Sequence, residues 1–249
     1  MTDNPFVTLP HTRSDTVKLA ISSCSNRPIE PRCAMALAMM VHYTTAFQVP
    51  FGLLFRLQAS LLMSSRQECL DEAINDGCTH QLWWDDDIEM PADCVLRMLD
   101  TMKKNPEIDV IAANYCRKQD ELRYTAEDLD GNMMESYGKT GLQEADKVGM
   151  GLMLVKLRKL RAISAPHFEV KWSDKHKQYR GEDRYFTAKL REHGMRIFVD
   201  HDISNWTQHW GSLGYSYKLW HPDAQAPPLG KIIILDEESR ERVSGKKYE

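Results

Sequence analysis

The sequence has no surplus of positive charge: 32 Lys and Arg stand against 36 Asp and Glu, for a formal charge of −4 and an isoelectric point near 6.2. That balance lacks the basic footprint that drives non-specific nucleic-acid binding, and leaves room only for a local basic groove. Its six cysteines (Cys24, Cys33, Cys69, Cys78, Cys94 and Cys116) include no C-x-x-C pair and no zinc-like cluster, and read as reduced core residues. The opening stretch MTDNPFVTLPHTRSD lacks the apolar core of a signal peptide, so a cytoplasmic protein is expected. Between Arg32 and Arg56 there is no formal charge, but His42, Thr44, Thr45, Gln48, Pro50 and Gly52 interrupt the run, so a helix followed by a strand is expected and no membrane span. Repeats and low-complexity segments are absent too. What remains, 42% hydrophobic and 27% charged over 249 residues, suits a single domain with a full core, expected over 16–235, with an extension at 1–15 and a charged tail at 236–249.

Short apolar runs alternate with helical patterns through the first half. TVKLAIS reads as a strand, PRCAMALAMMVH as a helix, and FQVPFGLLFRL as a second strand whose Pro50 favours a sheet edge. SSRQECLDEAINDG is helical with Gly77 as its stop, THQLWW is a strand, ADCVLRMLDTMKK puts Val95, Leu99 and Met102 on one helical face, and DVIAANY is a further strand. This alternation predicts an α/β fold with a sheet at least partly parallel. Later, the turn signals Asp130-Gly131 and Gly138 suggest a hairpin excursion, VGMGLMLVKLRKLRAI returns to strand and helix, and a helix from about Glu182 to His193 stops at Gly194 before the strand RIFV.

The segment QLWWDDDIEMP places Asp85, Asp86 and Asp87 directly after a strand. Adjacent carboxylates raise one another's pKa unless a cation sits among them. A bound divalent metal would relieve the conflict, and so would simple solvation of a turn leading into the helix that Pro91 and Asp93 begin. Position favours function, because ligands of such sheets bind beyond the carboxyl ends of the strands.

In chain order the landmarks are a strand, D-D-D, the G-x-G of Gly149 and Gly151, G-E-D opening a helix, and H-W-G. In that order, residues from about Val17 to Gly214 resemble a GT-A-fold glycosyltransferase, closest in style to the family 2-like group and its compact phage and bacterial versions. The resemblance implies a mixed, mainly parallel sheet flanked by helices, and transfer of a sugar from a nucleotide-diphosphate donor such as a UDP-sugar. The acceptor would be a glycan or other hydroxyl, a modified DNA base included, and the location the host cytoplasm if the chain is phage-encoded. The resemblance makes Asp87 a metal ligand, with Asp85 facing the ribose or a metal-bound water, Asp86 a neighbouring acid and His209 the remaining protein ligand. Oxygen ligands select Mg²⁺ or Mn²⁺, and a histidine nitrogen tilts the choice to Mn²⁺. Asp183 stands as general base of an inverting displacement, because an acceptor hydroxyl must lose its proton as the new bond forms. Asp183 and Glu182 could equally just complement the helix dipole.

Arg66, Arg117 and Lys118 are candidates for the diphosphate, Ser22 and Ser23 at the end of the first strand for the base or ribose, and Arg27 is a further addition. Gly149 and Gly151 allow close approach of backbone to a ligand, or a bend into a strand. Trp83, Trp84, Trp206 and Trp210 suit stacking on sugars or bases, or the core. Two other functions fit the same residues. A metal-dependent nuclease or phosphohydrolase would use Asp85, Asp87, Glu182 and Asp183 to hold two metals. A non-catalytic nucleotide-sugar-binding relative would keep the fold without the chemistry.

Overall fold

Alternation along the strands decides which side chains face which layer. In strand β1 (Leu19–Ser25), Leu19 and Ile21 face one core and Ala20 the other. In β3 (His80–Trp84), Leu82 and Trp84 share the first core and Trp83 the second. A sheet apolar on both faces must be covered on both, and helices do so. The computed structural model describes residues 17–57, 60–118, 123–174, 177–211 and 214–215. The expected extension at 1–15 and the charged tail at 236–249 lie outside the described residues, as does the last part of the expected domain.

Between β1 and β3 come helix α1 (Pro31–Ala46), strand β2 (Phe51–Leu57) and helix α2 (Leu62–Asn75). The chain continues through the short β4 (Ile88–Glu89), α3 (Cys94–Lys104), β5 (Val110–Ala112), β6 (Leu142–Ala145), β7 (Leu152–Lys156) and α4 (Leu157–Leu160). A two-stranded ribbon of β8 (Lys171–Ser173) and β9 (Gln178–Arg180) precedes α5 (Glu182–Glu192). Last come β10 (Ile197–Asp200), α6 (His201–Ser204), β11 (Gln208–Trp210) and β12 (Gly214–Tyr215).

The seven-stranded sheet has the order β2-β1-β3-β7-β5-β10-β6. β2, β1, β3, β5 and β10 run in one direction, with β7 and β6 opposed, so the sheet is mixed and mainly parallel. β2 is at the edge, where Pro50 just before it costs no ladder hydrogen bond. α1 and α3 cover one face through Met40, Val95, Leu99 and Met102. α2 and α5 cover the other through Leu70, Ala73, Phe186 and Leu190. Gly77 and Gly194 follow the ends of α2 and α5 at φ 72°, the left-handed conformation that stops a helix at little cost only in glycine.

The excursion expected after β5 contains the turn at Gly131, with Asp128 N donating to Asn132 O at 2.8 Å. It does more than project outward, because β6 pairs antiparallel with β10 and closes the far edge of the sheet. A second, three-stranded sheet, β12-β11-β4, sits beside the end of β3 and ties the last described strands to the segment after the acidic triplet.

Candidate functional site

β3 delivers its acids to a turn whose backbone is fixed at several points. Asp85 N donates to Gly151 O at 3.0 Å, Ile88 N to Asp85 O at 3.0 Å, Glu30 N to Asp86 O at 3.2 Å, and Trp210 N to Asp87 O at 2.7 Å. The last of these comes from β11, whose pairing with β4 carries His209 to the triplet. His209 Nε2 lies 3.4 Å from Asp87 Oδ2, and its other ring nitrogen, Nδ1, is 3.0 Å from Cys116 O. A carbonyl can only accept, so Nδ1 donates to it, which leaves Nε2, turned toward Asp87, as the nitrogen able to bind a metal.

The cations are arranged pairwise. Asp87 Oδ2 meets Arg27 Nη2 and Lys118 Nζ, while Asp86 takes Arg27 Nε at 3.2 Å and Nη2 at 3.0 Å and the Ser25 hydroxyl. Arg66 does not stand open for a phosphate as expected. It is buried and bridges two motifs, Nη2 to Asp85 Oδ1 at 3.2 Å and Nη1 to Glu182 Oε1 at 2.8 Å. This bridge ties the end of β3 to the first turn of α5 and explains two acids, Asp85 and Glu182, without a metal. Burial raises the Asp85 carboxyl, and Arg66 offsets only part of that rise. Burial pushes Asp87 up as well, but hydrogen bonds with His209 and Lys118 outweigh it and hold that carboxyl well below the usual range. Asp87 is therefore ionised at neutral pH.

Asp183 lies half-buried in the first turn of α5, its Oδ1 accepting from Arg184 N at 2.6 Å. The glycine before the acidic pair has a steric reason: a Cβ on Gly181 would come 2.8 Å from Asp183 Oδ1. Gly181 thus leaves the carboxylate space to fold back over the helix start. Arg117 follows β5 on the side of Asp183 and Arg184, and burial together with the Arg184 charge lowers its pKa. Among the described residues its guanidinium has no hydrogen-bonded or ion-pair partner.

Other sequence expectations change role. Ser22 and Ser23 do not end the first strand; β1 runs on to Ser25, and both are buried inside the sheet, with Ser22 Oγ accepting from Gln81 Nε2 at 2.8 Å. Ser25 and Asn26, which sequence reasoning passed over, take the strand-end position. Gly149 and Gly151 make room for a side chain: a Cβ would fall 2.7 and 2.5 Å from Tyr115 Oη, which instead accepts from Gly151 N at 2.8 Å. Trp83 and Trp84 are core residues, Trp83 edge-on to Phe168 and Trp84 donating to Ile88 O at 2.8 Å. All six cysteines are free thiols, five of them buried.

Together these groups line a cavity of about 200 Å³ at the carboxyl end of β1 and β3, bounded by Cys24, Ser25, Arg27, Arg66, Asp85 to Asp87 and His209. Among the described residues no group of three or more His, Cys, Asp and Glu is gathered closely enough to hold a metal ion. Asp87 and His209 offer two donors, which fits Mg²⁺ or Mn²⁺ bound through one or two protein groups with phosphate and water completing the shell. Asp85, expected at the metal site facing the ribose or a metal-bound water, is directed to Arg66.

No protein-family model matches the sequence, and no curated protein matches it. Among solved structures the chain is similar to A197 from STIV, at 18% identity and a TM-score of 0.57 over 88% of this chain and 97% of that one. It is also similar to a glycosyltransferase involved in the glycosylation of the major capsid of PBCV-1 (11% identity, TM-score 0.34, 58% of this chain and 62% of that chain). A third is a Drosophila β1,4-galactosyltransferase 7 mutant in complex with manganese, UDP-Gal and xylobiose (13% identity, TM-score 0.40, 90% of this chain and 79% of that chain). The first likeness shows a shared fold; TM-scores below 0.5 give the other two no weight. The α/β fold expected from the sequence, with a mixed and mainly parallel sheet flanked by helices, is the one the chain adopts. No helix among the described residues is long and apolar enough to cross a membrane.

Proposed function

We propose that the chain is a glycosyltransferase that moves a sugar from a nucleotide-diphosphate donor to an acceptor hydroxyl, with a divalent metal, Mn²⁺ or Mg²⁺, entering at Asp87 and His209. The observation that carries this reading is convergence: residues as far apart in the chain as Arg27, Asp87, Lys118 and His209 meet at the carboxyl end of the parallel strands, linked through Asp85, Arg66 and Glu182 to the helix that bears Asp183. Such a metal would stabilise the charge that develops on the departing diphosphate. Arg27 and Lys118 carry the donors that bind phosphate oxygens, and Arg117, whose guanidinium has no partner among the described residues, adds a third cation on the side of Asp183. Asp183 takes the proton of the acceptor hydroxyl, and a single displacement inverts the anomeric centre.

The rival two-metal phosphohydrolase needs Asp85 and Glu182 free to ligate, and both are engaged by Arg66. A non-catalytic relative differs in having no turnover. A melting-shift panel of nucleoside diphosphates and their sugars with Mn²⁺ identifies the donor, since binding to the folded state alone raises Tm.

Two measurements test the site. In calorimetry, the donor nucleotide should bind with Mn²⁺ and not with EDTA, and Asp87→Ala should erase that difference; equal wild-type affinity in EDTA would sink the metal reading. His209→Ala should weaken Mn²⁺ binding in the presence of the nucleotide by about 10-fold or more with the fold intact, as loss of a ligand does. An unchanged Mn²⁺ titration would assign His209 to packing against Tyr115, whose ring it meets edge-on at 5.3 Å.

A further inference from the structure

The acidic triplet is neutralised from within the chain. Asp87 Oδ2 meets Arg27 Nη2 and Lys118 Nζ at the oxygen that also faces His209. The two sides of these ion pairs differ in freedom. The Asp87 side chain is 9% exposed, on a turn pinned by Trp210 N and Ile88 N. Arg27 is 49% exposed and Lys118 23%. Long side chains that reach solvent can swing away, and the carboxylate cannot follow them.

A divalent ion taking Asp87 Oδ2 and His209 Nε2 would be placed against two like charges and repelled by both. Arg27 and Lys118 must therefore leave before the metal is well bound. Their departure leaves two cations without a counter-charge unless an anion arrives, and a diphosphate supplies one: a guanidinium fork and an ammonium both bind phosphate oxygens well.

We propose that Arg27 and Lys118 act as a latch on Asp87, disfavouring metal alone and passing to the donor's diphosphate when metal and nucleotide enter together. This rests on the reading of the cavity as a nucleotide-diphosphate site and adds to it how entry is controlled. Coupling of this kind is reciprocal: whatever factor the nucleotide adds to metal affinity, the metal adds to nucleotide affinity.

The test titrates Mn²⁺ into the full chain by electron paramagnetic resonance of the free ion, first alone and then with UDP, or with the nucleoside diphosphate that the melting-shift panel selects. The same titration is run on Arg27→Ala, Lys118→Ala and the double variant, with circular dichroism confirming the fold. Without nucleotide, each single variant should bind Mn²⁺ about 10-fold tighter than wild type, within the usual span of coupling factors, and the double variant tighter still. With nucleotide, wild-type Mn²⁺ affinity should rise by a comparable or larger factor and that of the double variant by much less. Arg27→Lys and Lys118→Arg keep the charge and should retain weak metal-only binding. Variants that bind Mn²⁺ alone no tighter than wild type would overturn the latch while leaving a metal-dependent donor site intact. A wild type that binds no nucleoside diphosphate with Mn²⁺ would overturn the donor reading and the hand-over with it, and the metal-only comparison would still read the hold on Asp87.

Discussion

Asp183→Asn is expected to lower turnover by about 10² to 10⁴ with donor saturating, while the donor's binding constant stays near its wild-type value. The amide keeps the shape of the side chain and one acceptor oxygen, so it can still accept from Arg184 N as Asp183 does at 2.6 Å. It cannot take a proton. The loss should therefore fall on the chemical step and not on ground-state binding of a donor that the base does not touch. If the carboxylate only complements the helix dipole, asparagine serves nearly as well at a helix start, and activity survives with a small loss of stability. One variant thus separates the two roles. Near-wild-type turnover by Asp183→Asn would move the base elsewhere and point to a retaining mechanism. Gly181→Ala is a companion test: its Cβ would crowd Asp183 Oδ1 at 2.8 Å, so turnover should fall with the carboxylate still present if its placement matters.

The parts of this fold that can be read from sequence are those whose signal is local. Strand β3 announces itself as apolar residues ending at charge, and Gly77 and Gly194 mark helix ends because the left-handed conformation they adopt is a property of one residue. The end of β1 is hard to place from sequence because Ser22 and Ser23 break the apolar pattern, yet they are buried in the sheet, where Gln81 satisfies Ser22. β6 gives little signal at all: LQEA is polar and half-exposed, and it joins the sheet only because β10 offers it an edge. At the site, the order of motifs points to Asp87 and His209 and the position after a strand points to Lys118, and the fold brings the three side chains together. The roles of Arg66, Gly149 and Gly151 were not legible, because their partners are distant in sequence: Glu182 for Arg66, and Tyr115 for the two glycines. A buried arginine and an exposed one look alike in a sequence, and only the fold, which brings Asp85 after β3 and Glu182 at the start of α5 to the same side chain, distinguishes them.

That burial gives Arg66→Met the largest expected effect on stability. Arg66 is 5% exposed and is the shared partner of Asp85 and Glu182, so its removal takes the ion-pair partner from both carboxylates at once. Breaking a buried ion pair by deleting one partner costs about 3–5 kcal/mol, and the value here should be about 2–4 kcal/mol because water reaches Asp85. The Asp85 side chain is 34% exposed and that of Glu182 16%, which is the reason for the reduction. The loss should depend on pH in a definite direction. Burial already holds the folded-state Asp85 pKa above its ordinary value, with Arg66 opposing the rise. Without Arg66 the folded-state value of Asp85 moves up further. A group whose folded pKa is raised keeps its stabilising contribution below the unfolded value, about 4 for a carboxylate, and loses it as pH climbs through the folded value. Urea unfolding should accordingly find Arg66→Met close to wild type near pH 4 and in full deficit at pH 7.5. Arg66→Lys should recover only part of the difference, since an ammonium does not reproduce the two-pronged guanidinium bridge between β3 and α5. A deficit that is equal at both pH values would mean that lost packing of the arginine stem, and not the stranded carboxylates, accounts for the cost.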